Sequence, residues 1–357
     1  MRQKNTPKIR KTKTYFPVSV YLRKKGECVM YDVKKIMQER PLLSPLPIPD
    51  PAKFPRDEEV PEGCHVLENL ADDWGYDVNI HTDIVYAKRC GTKEETKTEE
   101  RELKLIILEP KPRENADTAK WPCVAYVQGS AFHEQWLWNN IPRHLRLAQK
   151  GYVVAVIQYR PSDIAPFPAQ MQDAKTAIRF LKKHAEEYHI DPEHMAVAGD
   201  SSGAHTALMV GFTGDDAPDT DLYGEYSAKV NCIVDSYGPT VFPLMNYFES
   251  SQNHYNPESP EGYEIGYKNV LEHVDLAMEA SPLSYLSEDK ATPSTLIIHG
   301  GRDMLVPFSQ SCQLYNYMKK LGKEVEFYKL NDANHGFLGF NNDTVLHIVL
   351  EFLKKHI

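Results

Sequence analysis

Short, fully apolar runs that alternate with helical patterns most constrain how this chain of 357 residues can fold. Runs without polar residues at alternate positions are typical of strands buried on both faces of a parallel sheet. Six such runs predict strands over residues 123–127, 153–157, 195–198, 232–234, 295–298 and 325–330. Helical patterns predict helices between them over residues 168–184 and 309–321, and a last helix over residues 343–355 that opens with Asp343 as its cap. The alternation predicts an α/β fold with a mostly parallel, doubly wound sheet and helices on both faces.

The chain before residue 121 has a different texture. Two β-branched runs, residues 78–86 and 103–108, flank a charged stretch and predict an antiparallel hairpin. Further upstream, seven prolines between Pro41 and Pro61 exclude a continuous helix or a central strand. Six Lys and Arg residues before residue 14 predict a solvated arm rather than a binding tail. We therefore expect an N-terminal extension over residues 1–75 and one main domain over residues 76–357.

One long segment interrupts the strand–helix rhythm. Residues 239–286 are rich in Tyr, Asn, Ser, Pro and Glu and contain no convincing strand. Insertions of this size on an α/β core are usually lids or pocket walls, although a solvated loop is the simpler alternative. Because the segment leaves the carboxyl end of a predicted strand, we expect it to form a cap over the functional site.

Composition excludes several classes of partner. The formal net charge of -9 argues against nucleic acid, and no run of about 18 apolar residues exists to span a membrane. The six cysteines and fourteen histidines show no metal-binding spacing, so neither a metal nor another cofactor is expected. Scattered cysteines and the lack of a signal peptide after the basic arm predict reduced thiols and a cytoplasmic location. Whether the chain forms a homo-oligomer is left open.

The most informative motif is Gly199-Asp-Ser-Ser-Gly203, between an apolar strand and a helix of small residues. A serine on a sharp strand-to-helix turn needs small neighbours, because the backbone there is strained and closely packed. The helix that begins at the serine directs its first backbone N–H groups at a developing oxyanion. Ser201 is therefore the predicted nucleophile.

A serine hydroxyl needs a base, and the base needs an orienting carboxylate. His335 lies after a predicted strand, and Asp303 lies directly after the strand at residues 295–298. Taken alone, His335 is as consistent with an ordinary loop histidine as with a base. Asp303 alone would more often be a turn-forming or helix-capping aspartate. Together with Ser201 they occur at the carboxyl ends of strands, in the chain order Ser, Asp, His that is typical of such a site on a doubly wound sheet. We therefore predict that His335 is the base and Asp303 the acid.

An oxyanion-binding loop is predicted at Gln128-Gly-Ser-Ala131, where lipases and esterases carry His-Gly-Gly-Gly. Backbone N–H groups bind the oxyanion, so small residues can replace glycine if the turn survives. The predicted donors are Ser130 or Ala131, together with Ser202, the residue after the nucleophile.

Several nearby residues allow two interpretations. Four aromatic residues are candidates for a substrate pocket, with ordinary packing as the alternative: Phe132, Trp136, Trp138 and Tyr247. His205 is expected to pack behind the nucleophile turn, and Asp200 to be a structural neighbour whose side chain diverges from Ser201. Arg160 and Asp173 are expected to pair beneath the site.

From about Trp121 to its end, the chain resembles the carboxylesterase branch of the α/β-hydrolase superfamily, specifically the acetyl/feruloyl esterase-like group of BD-FAE type. The motifs that carry the resemblance are Gly-Asp-Ser-Ser-Gly, the pair Tyr159-Arg160 before a Pro-x-x-x-x-Asp-Ala helix, and His299-Gly-x-x-Asp-x-x-Val-Pro. The resemblance implies the α/β-hydrolase fold and hydrolysis of esters with small acyl groups, often on plant polysaccharide. Gln-Gly-Ser-Ala departs from the His-Gly-Gly-Gly of this group.

These observations predict a serine carboxylic-ester hydrolase that forms an acyl-enzyme on small-molecule acetyl or feruloyl esters. Two alternatives are kept open. One is a serine peptidase or thioesterase with the same three residues, and the other is a catalytically silent binding protein on the same scaffold.

Overall fold

The computed structural model describes residues 75–111, 120–218, 222–336 and 339–357, together with the backbone of residues 19–24 and 27–32. The chain divides into two units, Met1–Ala71 and Asp72–Ile357. In the first unit, β1 (Ser19–Lys24) and β2 (Glu27–Asp32) pair antiparallel, a hairpin that the sequence patterns did not predict. The basic stretch before residue 14 and the seven prolines lie outside the described residues.

The second unit is built on one sheet of eight strands in the order β10-β9-β8-β7-β5-β6-β4-β3. Pairs among β5 to β10 are parallel, whereas β3 with β4 and β4 with β6 are antiparallel. The strands are β3 (Asp77–Cys90), β4 (Glu100–Lys111), β5 (Trp121–Val127), β6 (Val153–Ile157), β7 (Ile190–Asp200), β8 (Cys232–Ser236), β9 (Ser294–Gly300) and β10 (Val325–Leu330). The predicted parallel sheet and the predicted hairpin are both confirmed. β7 begins five residues before its predicted start, because Ile190 pairs with Trp121 across the end of β5.

Helices cover both faces of this sheet, which explains why the central strands are apolar throughout. The helices of eight or more residues are α1 (Ile141–Ala148), α2 (Ala169–Lys183), α3 (Ser202–Thr213), α6 (Ser309–Lys320) and α7 (Asp343–His356). Side chains of α2, α3 and α6 share one buried cluster with Cys123, Ala125 and Val127 of β5. Side chains of α1 and α7 share a second cluster with Val124 and Tyr126. Alternate residues of β5 therefore pack into two separate hydrophobic clusters.

One helix cap differs from the predicted one, and one helix was not predicted. The cap of α7 is Asn342 rather than Asp343, because extended Asn342 accepts a hydrogen bond from the Val345 N–H. Asp343 lies instead in the first turn, where a negative charge favours the helix dipole. Helix α1 was not predicted, since it is only eight residues long.

The insertion at residues 239–286 folds into four short helices. They are the 3₁₀ helices Phe242–Tyr247 and Pro282–Tyr285, with α4 (Pro260–Glu264) and α5 (Val274–Glu279) between them. They enclose a third buried cluster, which includes Phe242, Tyr263 and Ala277. Phe132, from the loop after β5, belongs to this cluster, so the insertion packs on the predicted oxyanion loop.

Candidate active site

Ser201 lies on a sharp turn between β7 and α3. Its φ of 51° and ψ of -126° are strained values for a residue with a side chain. A Cβ at Gly203 would lie 2.1 Å from the carbonyl oxygen of Val127, and a Cβ at Gly199 would lie 2.4 Å from the carbonyl carbon of Gly203. Both glycines of the motif are therefore required by the close packing of the turn against the sheet.

A continuous chain of hydrogen bonds runs from the serine to a buried carboxylate. Ser201 Oγ lies 2.9 Å from His335 Nε2, and His335 Nδ1 lies 2.8 Å from Asp303 Oδ2. The ring of Tyr237 contacts the His335 ring edge-on, with centroids 4.8 Å apart. The structure thus brings together the three side chains that the motifs predicted, from loops after β7, β9 and β10.

Asp303 is held by three further contacts. Its Oδ1 accepts hydrogen bonds from the N–H groups of Leu305 and Val306, each at 2.9 Å. Its Oδ2 also lies 3.2 Å from Nε2 of His299. Burial alone would raise the pKa of Asp303, but hydrogen bonds from His299 and His335 outweigh it and lower this pKa to about 2. The carboxylate is therefore ionised throughout the neutral range, and its contribution to stability is lost only as the pH falls from about 4 towards 2.

His299 is a site residue that the sequence reasoning did not identify. It is completely buried, with Nδ1 2.7 Å from Ser311 Oγ and Nε2 3.0 Å from the carbonyl oxygen of Val306. Because that carbonyl is only an acceptor, Nε2 carries a proton that it also directs at Asp303. The available signal was the position of His299 four residues before Asp303, at the end of the same strand.

Two amides of the predicted oxyanion loop are hydrogen-bonded by the side chains that flank Ser201. The Gly129 N–H donates to Asp200 Oδ1 and the Ser130 N–H donates to Ser202 Oγ, both at 2.9 Å. Ser130 therefore does not offer a free amide, contrary to one of the two predicted possibilities. Within the described residues, the amides of Ala131 and Ser202 form no hydrogen bond. Ala131, at a φ of 52°, is thus the donor that the geometry favours, together with Ser202.

Asp200 has a structural position beside the nucleophile. Its Oδ1 also accepts a hydrogen bond from the Tyr126 hydroxyl at 2.6 Å, so its side chain points away from Ser201 towards the loop after β5. This agrees with the expectation of a neighbour that diverges from the nucleophile. Asp200 and Ser202 together fix the position of the oxyanion loop relative to Ser201.

A cavity of about 360 Å³ opens over these groups. One wall contains the oxyanion loop, Ser201, Ser202 and His335, and Leu305 and Val306 form a second. The insertion supplies much of the remaining wall, with the residues Pro239, Gln252, His254, Pro260 and Glu261.

Only one of the four predicted pocket aromatics lines this cavity. Phe132 does so from the oxyanion loop. Trp136, Trp138 and Tyr247 do not, and they are 67%, 51% and 71% exposed. The two tryptophans lie in the segment that turns towards solvent before α1, and Tyr247 ends a helix on the outer side of the insertion.

Two other predicted packing roles fit the observed contacts. His205 is buried behind the turn, where its Nε2–H donates to the carbonyl oxygen of Ala280 at 2.6 Å. Burial lowers the pKa of His205 to about 4, so it is neutral at pH 7. Arg160 forms a two-point ion pair with Asp173, through Nε and Nη2 at 2.8 Å each.

Gly129 packs tightly against the turn that carries Ser201, so we expect a large effect from replacing it. A Cβ there would lie 2.4 Å from the carbonyl oxygen of Asp200 and 3.0 Å from Ser201 Cβ. Gly129→Ala should therefore push the loop away from the nucleophile and lower kcat by on the order of 10² to 10³, as loss of one oxyanion donor does. The matched control is Ala131→Gly, which keeps the amide and suits the positive φ. Steady-state kinetics on one ester would compare them, and equal activity of both variants would contradict the assignment of this loop.

Asp235, a second buried carboxylate, lies on β8 and makes no contact with His335. Its Oδ1 accepts a hydrogen bond from the Gly238 N–H at 2.8 Å, and its Oδ2 has no partner within the described residues. Burial, partly opposed by that hydrogen bond, raises the pKa of Asp235 to about 7. Because this pKa is higher in the folded protein, the unfolded chain loses the proton at a lower pH than the folded protein does. The free energy of unfolding therefore falls as the pH rises from about 4 to 7.

Asp235→Asn removes this titration while keeping the acceptor for Gly238. Between pH 5 and pH 8, the free energy of unfolding of the variant should gain about 3 kcal/mol relative to wild type, from about two pKa units. Urea titrations of both proteins at the two pH values measure the difference. A constant difference at both pH values would show that Asp235 does not titrate in this range.

Neither a metal site nor a membrane span is found in the described part of the chain. No group of three or more His, Cys, Asp or Glu residues there is arranged to hold an ion. No helix there is long and apolar enough to cross a membrane.

An eight-stranded, mostly parallel sheet with a serine on the turn after a central strand defines the α/β-hydrolase fold. The acid and the histidine follow at the same edge of that sheet. Within this class, residues 110–318 match the BD-FAE family, and the chain belongs to that family.

Several known proteins similar to this chain are named as esterases. Esterase LipC of Mycobacterium tuberculosis is 25% identical over 260 residues, which cover 70% of this chain and 62% of LipC. The chain spans between 44% and 62% of the length of three M. tuberculosis relatives that it matches. Among solved structures, a truncated carbohydrate esterase from gut microbiota has a TM-score of 0.65 and 26% identity, covering 79% of this chain and 97% of that one. A bifunctional GH43-CE protein of Bacteroides eggerthii has the same TM-score and identity, over 77% of this chain and 38% of that one.

Proposed function

We propose that the chain is a serine ester hydrolase in which Ser201 is the nucleophile, His335 the base and Asp303 the acid. The observation that carries this proposal is the hydrogen-bonded chain of these three side chains, at a cavity that also contains the unpaired amides of Ala131 and Ser202. The esterase names of similar proteins support it.

The proposed reaction has two steps. As Ser201 Oγ attacks the ester carbonyl, His335 Nε2 takes its proton, while Asp303 holds the ring tautomer and stabilises the imidazolium. The amides of Ala131 and Ser202 bind the oxyanion of the tetrahedral intermediate. His335 then returns the proton to the departing alcohol, and water repeats the sequence on the acyl-enzyme.

The proposed substrates are esters of a small acyl group such as acetyl, or of a feruloyl group, on plant carbohydrate. The similarity to a protein named a carbohydrate esterase supports this class. We further propose that the insertion at residues 239–286 acts as a cap that selects among esters, because it supplies five lining residues of the cavity.

Parallel assays with p-nitrophenyl acetate, p-nitrophenyl butyrate and a feruloyl ester test the proposal. Wild type should release p-nitrophenol catalytically, and a burst equal to the enzyme concentration would report the acyl-enzyme if deacylation is slow. Peptide p-nitroanilides and acyl thioesters are the comparison substrates. A higher kcat/KM on either would favour a peptidase or thioesterase, and no turnover of any substrate would favour a binding protein.

We also propose a cytoplasmic location, based on the free thiols of Cys90, Cys123, Cys232 and Cys312. Fractionation of the source cells with an antibody to the chain tests it. Recovery from the extracellular or membrane fraction would overturn it.

A further inference from the structure

A buried histidine–glutamate pair forms part of the wall of the cavity that contains Ser201. His254 and Glu261 both come from the insertion, both line the cavity that contains Ser201, and each is only 1% exposed. His254 Nδ1 lies 2.8 Å from Glu261 Oε2. The proposed mechanism gives this pair no role, although a buried polar pair in an otherwise partly apolar wall is costly to maintain.

His254 holds Glu261 in the wall through its own contacts on both sides of the ring. Its Nε2 lies 2.9 Å from both Ser250 Oγ and the carbonyl oxygen of Leu305, and its Nδ1 faces Glu261 Oε2. One proton shared between Nδ1 and Oε2 makes that contact a hydrogen bond and leaves Oε1 of Glu261 as a hydrogen-bond acceptor.

This acceptor is both unused and fixed in place. No described residue forms a hydrogen bond with Oε1 of Glu261. This atom is not fully enclosed by the protein, so a bound molecule can reach it. His254 is anchored by its own N–H, which donates to Asn246 Oδ1 at 2.6 Å. The helix that carries Glu261 is capped by Ser259, whose hydroxyl accepts from the Gly262 N–H at 3.1 Å. An acceptor held in this way loses little entropy when it binds a donor.

We propose that Glu261, positioned by His254, determines specificity by accepting a hydrogen bond from a free hydroxyl on the alcohol part of the ester. This inference rests on the proposed ester hydrolysis and adds the substrate group that the cap recognises. A buried acceptor left without a donor is unfavourable, so an alkyl ester of the same shape should be a poorer substrate.

The experiment compares esters that differ only by hydroxyl or methyl groups at the same positions. The pairs are 2-hydroxyethyl acetate with propyl acetate, and glyceryl 1-acetate with 2-methylbutyl acetate. Each kcat/KM is divided by the rate constant for hydroxide hydrolysis of the same ester, which corrects for intrinsic reactivity. For at least one pair, the corrected ratio in wild type should favour the hydroxylated ester by about tenfold.

Two variants at Glu261 separate the acceptor from the shape of the side chain. Glu261→Met removes the acceptor and should bring the corrected ratio close to one, mainly through KM and kcat/KM for the hydroxylated ester. Glu261→Gln keeps an amide oxygen available and should retain most of the preference. The control is Glu258→Met, the same change at an exposed residue outside the cavity, which should leave the ratio unchanged.

The outcomes are distinct from those that test ester hydrolysis itself. If wild type hydrolyses none of the esters, the proposed function fails. If wild type hydrolyses them with a corrected ratio near one for every pair, this inference is overturned even if the Glu261→Met variant does not fold. An unchanged preference in folded Glu261→Met would overturn it as well.

Discussion

Ser201→Ala is expected to lower kcat for ester hydrolysis by on the order of 10⁶, the loss seen when a nucleophile of this type is removed. The physical reason is that Ser201 Oγ is the atom placed 2.9 Å from His335 Nε2, and no other hydroxyl bonds that nitrogen in the described residues. Removing one oxygen from the partly exposed turn leaves no large cavity, so the fold should persist. Assays with p-nitrophenyl acetate, with thermal unfolding as the control, measure both effects.

A covalent label gives an independent check of the same residue. A fluorophosphonate should add one adduct to wild type, located by peptide mass spectrometry at Ser201, and none to Ser201→Ala. Labelling at another serine, or ester turnover that survives the substitution, would show that the nucleophile was assigned to the wrong residue.

Asp303→Asn is expected to lower kcat by on the order of 10⁴, because an amide facing His335 Nδ1 favours the wrong ring tautomer. The matched control is Asp332→Asn, in the loop that carries His335. The Asp332 side chain is 72% exposed and pairs with Arg302 at 2.9 Å. Loss of such a surface pair costs at most about 1 kcal/mol of stability, so its activity should stay within about twofold of wild type.

The same kinetic assay decides between the two carboxylates. A large loss for Asp332→Asn with a small one for Asp303→Asn would reverse the assignment. A small loss for both would mean that His335 is oriented by other contacts, such as that with the Tyr237 ring.

The sequence predicted the sheet well because its signals are local. The central strands are apolar at successive positions, as strands buried on both faces must be, and β6 has no exposed residue. The predictions failed where the local sequence pattern is weak, or where contact with a distant segment determines the secondary structure. The polar start of β7 is a strand because it pairs with β5, and eight-residue α1 depends on packing against the sheet.

The candidate nucleophile, base and acid were also identifiable from local signals. Gly199 and Gly203 mark a turn that only glycine permits, and the edge of a parallel sheet gathers residues that follow its strands. The structure places Ser201, His335 and Asp303 within hydrogen-bonding distance of one another, and their catalytic roles are the predictions tested above.

Only the tertiary structure decided which groups surround that site. The Ser130 amide bonds Ser202, which lies 72 positions further along the chain, and His299 reaches Asp303 because the loop after β9 turns back towards its strand. The cavity wall contains His254 and Glu261 rather than the predicted Trp136, Trp138 and Tyr247. The Ser201 turn and the strands depend on steric and hydrophobic constraints that residues close in the sequence determine. The amides and the wall depend on contacts between distant segments, which no local pattern encodes.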